Sequence, residues 1–173
     1  MEIVQQGPAR LLELVWLMLP AYCANMAPPF VKFWHGWNRP IHRRLLGDHK
    51  TMVGFGLGVA VAVGAAFVQS RLSPAVSLLW SPDGWLAVGL ASGVGALGGD
   101  AIKSFCKRRL GIAPGVSWIP ADQLDFVVGA LIGLAIFVPF SLSEVLMVLG
   151  FTFVADIAIN QIAFRVGIRD TAW

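Results

Sequence analysis

The chain has 173 residues, of which 57% are hydrophobic and 13% charged, with a formal net charge of +3 and a mean hydropathy of +0.71. Soluble domains carry roughly 45–50% apolar and about 25% charged residues, so a chain this poor in charge cannot cover a folded surface in water. The balance excludes a soluble globular enzyme, a disordered tail and a coiled coil, and leaves an integral membrane protein.

The charges fall in clumps, and the gaps between them have membrane length, since a spanning helix needs about 20 mostly apolar residues. Residues 14–31 and 51–70 carry no charge. Residues 84–102 contain only Asp100, 124–142 only Asp125, and 145–164 only Asp156. The first stretch is followed by Pro28-Pro29 rather than a small-residue cleavage site, which favours a span over a signal peptide. These gaps predict an all-α bundle of five transmembrane helices in one domain over 1–173. The helices fall at about 11–31, 51–70, 84–105, 121–141 and 144–165, with loops at 32–50 and 106–120.

Orientation follows from the basic residues. Lys32, Arg39, Arg43, Arg44 and Lys50 lie between helices one and two. Lys103, Lys107, Arg108 and Arg109 lie between helices three and four, and Arg165 and Arg169 lie at the C-terminus. Only Arg10 and Arg71 fall on the other side. The N-terminus is therefore expected outside and the C-terminus in the cytoplasm, with both basic loops cytoplasmic in a cell-membrane protein. In such a chain the positive charge marks topology rather than a nucleic-acid partner. Cys23 and Cys106 form no Cys-x-x-Cys pair and are expected to be plain reduced residues.

Four Gly-xxx-Gly pairs, Gly54/Gly58, Gly89/Gly93, Gly95/Gly99 and Gly129/Gly133, predict close helix packing. Trp34, Trp37, Trp80, Trp85 and Trp118 fall near helix ends, as an interfacial aromatic belt does. His35, His42 and His49 lack the partners of a zinc site and are expected at the interface. Asp156 and Asn160 share a helix face and are expected to hydrogen-bond one another or to line a cavity with Asp100.

Three acids lie where acids are costly. Asp122 opens helix four just after Pro120, where a carboxylate also suits the positive end of the helix dipole. Capping does not account for Asp125 one turn deeper, nor for Asp100 after a long uncharged run. Asp122 and Asp125 share a face, and Asp100, Lys103, Ser104 and Lys107 form a second stripe. Carboxylates beside lysines and arginines suit Mg²⁺ together with substrate phosphates. The loop from Gly111 through Gly115 to Trp118 would let backbone N–H groups approach an anion. Lys50 and Thr51 stand where helix two starts, a place for phosphate, although the spacing is not that of a P-loop.

The segment GALGGDAIKSFCKRRLGIAPGVSWIPADQLDF (residues 95–126), with LGDHKTMVGFGLG and AYCANMAPPF before it and NQIAFRVGIRD after it, resembles the archaeal CDP-archaeol synthases. Asp122-Gln-Leu-Asp125 is also similar to the Asp-Arg-x-Asp ending of the phosphatidate cytidylyltransferase signature, with Gln in place of Arg. The resemblance implies a membrane cytidylyltransferase that moves CMP from CTP to a geranylgeranyl glycerol phosphate lipid, 2,3-bis-O-geranylgeranylglycerol 1-phosphate. It implies a catalytic set of Asp100, Lys103, Asp122 and Asp125, with Mg²⁺ on the three aspartates. CTP contacts are then expected from Asn25, Lys50, Thr51, Gly98, Gly99, Lys103, Lys107, Arg109, Pro114, Gly115, Ser117 and Trp118, with the lipid tails entering sideways from the bilayer. The alternative is a small transporter or channel working through intramembrane Asp residues. It predicts acids spread through the membrane depth and an inverted repeat; no repeat is visible, and only Asp156 favours it.

Overall fold

The computed structural model describes residues 7–72, 82–113 and 116–166. Among these residues the chain is helical, and the one pairing of extended backbone is an isolated bridge between Pro40 and Thr51. Five principal helices follow in order: α1 (Pro8–Met26), α2 (Met52–Leu72), α3 (Trp85–Arg109), α4 (Ala121–Leu134) and α5 (Leu142–Arg165). A 3-10 turn, Pro28–Phe33, prolongs α1, and a single helical turn, Arg43–Leu46, lies in the loop before α2. By length and composition, four stretches can cross a membrane: Pro8–Phe33, Met52–Leu72, Trp85–Arg109 and Leu142–Ile162.

α4 is the exception. The apolar pattern predicts a helix over 121–141, but α4 stops at Leu134. Pro139 has no N–H to donate, and its ring excludes the carbonyl of the residue four earlier, Ala135, so the helix cannot run on through it. The chain instead closes a turn, with the N–H groups of Phe137 and Val138 both donating to the Leu134 carbonyl at 2.9 Å. Helix geometry restarts at a capping box. Ser141 Oγ accepts the Glu144 N–H at 3.3 Å, and Glu144 Oε2 accepts the Ser141 N–H at 2.8 Å.

The core joins Leu14, Leu17 and Met18 of α1, Val88 of α3, Phe126, Val127 and Leu134 of α4, and Val148 of α5. Polar ties reinforce it where lipid offers no competing water. Gln69 Nε2 donates to the Trp16 carbonyl at 2.6 Å, and the Tyr22 and Thr152 hydroxyls are hydrogen-bonded at 2.7 Å. At one end of the bundle Arg10 pairs with Glu144 at 2.5 Å and with Glu13 at 2.7 Å, which pins the starts of α1 and α5 together. Leu12, Leu86, Ile132, Leu146 and Val154 remain exposed on the outer surface, as side chains facing hydrocarbon would be.

The expected glycine packing is present. A Cβ on Gly58 would meet Leu97 at 2.6 Å, and one on Gly89 would meet the Val63 backbone at 2.7 Å. The closest approach is between α3 and α4. A Cβ on Gly95 would meet the Gly129 carbonyl at 2.5 Å, one on Gly133 the Ala91 carbonyl at 2.5 Å, and one on Gly99 would overlap the Asp125 carbonyl. Backbone thus lies directly on backbone along this seam.

Gly99→Ala is therefore expected to cost about 1–3 kcal/mol through overpacking and to lower the thermal midpoint of the protein in detergent. Gly150→Ala, where the space around the glycine is open, should leave the midpoint unchanged or slightly raised. Equal midpoints for the two variants would contradict a close α3–α4 seam.

Candidate active site

The seam fixes where charges can meet. Gly99 lies against the Asp125 backbone, so Asp100 and the lysines that follow it on α3 face the first turns of α4. Lys103 and Lys107 sit three and seven residues beyond Asp100, on one stripe of α3. Asp122 and Asp125 are one turn apart on α4. The two stripes interlock at the end of the bundle away from Arg10.

The Lys103 ammonium occupies the middle. It lies 3.3 Å from Asp100 Oδ1, 3.1 Å from Asp122 Oδ1 and 2.9 Å from Asp125 Oδ2. Lys50 pairs with the other oxygen of Asp100. Lys107 reaches both oxygens of Asp122 at 3.0 Å and donates to the Val116 carbonyl at 2.6 Å. These side chains are largely buried, with 6% of Asp125 and 10% of Lys107 exposed. Removing charges from water is costly unless each finds partners, and removing one member of a buried pair costs about 3–5 kcal/mol. Here each charge is met by at least one of opposite sign.

Two loops complete the cluster. Lys50 is presented by a loop that closes on itself: the Ile41 N–H donates to the Lys50 carbonyl at 2.8 Å, and the Met52 N–H to the Arg39 carbonyl at 2.9 Å. Gly47, at φ +87°, makes the turn within it. The loop after α3 is held by Asp122, whose Oδ2 accepts the Trp118 N–H at 2.6 Å, and by the Lys107 contact to Val116. Asp122 thus lies in the first turn of α4, at the positive end of its dipole, and is charge-paired as well, but its carboxylate makes no capping hydrogen bond to the helix itself.

The other expected residues are placed unevenly. The Thr51 hydroxyl accepts the Gly54 N–H at 3.1 Å and caps α2 beside Lys50. Gly98 has open space around it, whereas Gly99 is used by the helix seam. Ser117 is exposed, and Trp118 is half-buried beside Asp122. Asn25 is half-buried near the end of α1, and none of the cluster's hydrogen bonds reaches it. Arg109 is not brought to the cluster; its guanidinium lies 5.2 Å from the centre of the Phe105 ring. Pro114 and Gly115 lie outside the described residues. Asn160 Nδ2 donates to Asp156 Oδ2 at 2.9 Å, the expected pair on α5.

A groove of about 360 Å³ opens between α3 and α4 on the outer face of the bundle. Ile102, Leu124, Val128 and Ile132 line its apolar length, and Lys103 and Asp125 form its polar end.

The aspartates offer the hard oxygen donors that Mg²⁺ takes, and all three lie within 3.3 Å of one ammonium nitrogen, so they converge on a position built for a cation. With that ammonium between them, no three acid, histidine or cysteine side chains among the described residues are arranged to hold a metal directly. The donor set fits the ion once Lys103 gives way.

The Lys107 contacts with Val116 and Asp122, and the Trp118 N–H bond to Asp122, were not anticipated. Only the spacing of Trp118 four residues before Asp122 at a helix start could have signalled them. The Arg10–Glu144 pair was also missed, although the Ser-x-x-Glu capping pattern at 141–144 was present in the sequence.

Fold and site together define a multi-pass intramembrane enzyme. A family profile described as CarS-like: CDP-archaeol synthase matches residues 9–173. The CDP-archaeol synthase of Methanosphaerula palustris is 35% identical, covering 90% of this chain and 100% of the relative, and that of Halobacterium salinarum is 38% identical, covering 92% and 94%. The CDP-archaeol synthase of Sulfurisphaera tokodaii is 37% identical over 90% of this chain and 92% of its own. A solved structure of an intramembrane enzyme for archaeal membrane lipids biosynthesis matches with a TM-score of 0.73 at 31% identity, covering 87% of this chain and 94% of that one. The chain belongs to the CDP-archaeol synthase family.

Lys107→Met should free the loop around Trp118. Losing a charged hydrogen bond costs about 1.5–3 kcal/mol, which corresponds to roughly tenfold to hundredfold faster amide exchange. Hydrogen–deuterium exchange of the Trp118 segment measures it, and unchanged protection would show that Lys107 does not hold the loop.

Proposed function

We infer that this chain is a membrane-embedded cytidylyltransferase that transfers CMP from CTP to 2,3-bis-O-geranylgeranylglycerol 1-phosphate, giving the CDP-activated archaeal ether lipid and pyrophosphate. Family membership supplies the reaction. The observation that carries the site assignment is the convergence of Asp100, Asp122 and Asp125 on one cation position, flanked by Lys50 and Lys107. The transporter alternative has no comparable support, because Asp156 is hydrogen-bonded to Asn160 and lies on a different helix from these three acids.

A phosphate oxygen of the lipid attacks the α-phosphorus of CTP, and the bond between the α-phosphorus and the bridging oxygen breaks to release pyrophosphate. Such a transfer depends on in-line positioning and charge neutralisation more than on a covalent nucleophile. The lipid phosphate is already ionised, so no strong general base is required. Asp100, Asp122 and Asp125 would hold Mg²⁺, which when bound neutralises the triphosphate and the departing pyrophosphate.

The remaining work falls to side chains present in the fold. Lys50 and Lys103 bind phosphate oxygens. Lys107 and Asp122 hold the Trp118 loop against the nucleotide. The apolar groove between α3 and α4 guides an isoprenoid chain to Lys103, so that the lipid head group meets CTP at the membrane edge. Lys32, Arg39, Arg43, Arg44 and Arg165 crowd the same side of the chain as the cluster, which by the positive-inside rule faces the cytoplasm of the cell membrane. Residues 121–141 make a fifth crossing, since α4 begins at the cluster and the next helix begins at Arg10, on the opposite side. The 14 residues of α4 rise about 21 Å, and the turn after Leu134 covers the rest.

Two variants and a binding series test this assignment. Asp122→Asn should lower turnover by about a hundredfold or more while the bundle stays folded; full activity would remove Asp122 from the site. Lys50→Ala should raise the KM for CTP by roughly tenfold and leave that for the lipid unchanged, whereas an unchanged CTP KM would mean that the first loop serves topology alone. Titration of the detergent-purified protein with CTP, ATP, GTP and UTP, each with and without Mg²⁺, should show binding selective for CTP and dependent on the ion.

A further inference from the structure

Three lysines and three aspartates meet in the cluster, so its formal charge sums to zero without any ligand. Lys103 differs from the other two lysines. Lys107 is also tied to the Val116 carbonyl, and Lys50 approaches Asp100 from the first loop. Among the described residues the polar partners of Lys103 are the three carboxylates themselves, at 2.9–3.3 Å.

We propose that Lys103 is an internal counter-cation that keeps divalent metal out of the nucleotide-free site, so that metal and nucleotide enter together. The inference rests on the metal assignment above and adds the order in which the site fills. A divalent ion arriving alone would have to push the ammonium off its three carboxylates, with no anion to receive it, and would leave net positive charge in a largely buried place. A triphosphate arriving alone would face three carboxylates. Arriving together, the metal takes the carboxylates and the triphosphate takes the ammonium. The lysine's flexible four-carbon stem and compact charge allow that exchange with little change in the backbone. The glycine seam keeps α3 and α4 in place meanwhile.

Such an exchange is a coupling between two ligands, and it is reciprocal: each raises the affinity for the other by the same factor. Mn²⁺ binding to the detergent-purified full chain, followed by electron paramagnetic resonance, measures it without turnover. The nucleotide is α,β-methylene-CTP, which cannot release pyrophosphate, and Mn²⁺ held by the analogue alone is subtracted. The analogue should tighten Mn²⁺ binding to the wild type by about tenfold or more. Lys103→Met should bind Mn²⁺ without nucleotide about tenfold more tightly than the wild type, with a smaller further gain from the analogue.

Equal Mn²⁺ affinity of the nucleotide-free wild type and Lys103→Met would overturn the proposal and leave the metal assignment standing. Should the variant fail to fold, the two wild-type titrations decide, and a coupling factor near one overturns the proposal. Absence of Mn²⁺ binding even with the analogue present would overturn the metal assignment itself, and the proposal with it.

Discussion

The site depends on how closely α3 and α4 approach. Lipid tails are as apolar as leucine, so no hydrophobic force draws helices together inside a bilayer, and backbone contact must do that work. Gly95, Gly99, Gly129 and Gly133 supply it by placing carbonyl oxygens where side chains would otherwise stand. Helices separated by ordinary side chains sit about 8–10 Å apart; here the glycines bring backbone against backbone, so the acids of α3 and α4 crowd around one ammonium group. Asp100 follows Gly99 directly, and Asp125 provides the carbonyl that Gly99 meets. The contact that packs the bundle is therefore the contact that assembles the cluster.

The second constraint is electrostatic. Three carboxylates at the edge of a low-dielectric region repel one another and are costly to desolvate. The fold compensates them with lysines drawn from three sources: the loop before α2, the middle of the polar stripe on α3, and its end. Because the compensation is internal, the bundle can fold before any substrate arrives. In the proposed reaction Lys50 and Lys103 exchange carboxylate for phosphate, while Lys107 keeps its hold on the Val116 carbonyl and the Trp118 loop. At the other end the Arg10, Glu13 and Glu144 group fixes where α1 and α5 begin.

Much of the fold was legible because hydrocarbon is an exacting solvent. It demands long apolar runs, and four of the five expected helices have the length and composition to cross a membrane. The end of α4 was not legible from hydropathy, since Ala135 to Phe140 is as apolar as the residues before it. There the missing N–H of Pro139 decides, and hydropathy does not register it. Within the site, the pairing of Asp122 with Asp125 followed from helical spacing, as did that of Asp156 with Asn160. The meeting of Asp100 with Asp125 depended on how two helices dock, which the glycine spacing only hinted at. The central place of Lys103 could not be inferred, because spacing assigns a residue to a face but not to a depth between two helices. Arg109 shows the same limit: it is near Lys107 in sequence, yet two residues turn it onto another face of α3, over Phe105 and away from the cluster.

The central claim is that this chain moves CMP from CTP onto a geranylgeranyl glycerol phosphate. The most direct test reconstitutes the purified protein in liposomes with that lipid, Mg²⁺ and CTP labelled at the α-phosphate, and follows label and pyrophosphate together. The account predicts label in a CDP-lipid, one pyrophosphate released per lipid labelled, and no labelling from the α-phosphates of ATP or GTP. Folded protein that transfers no label, or that transfers it equally from any nucleotide, would contradict it.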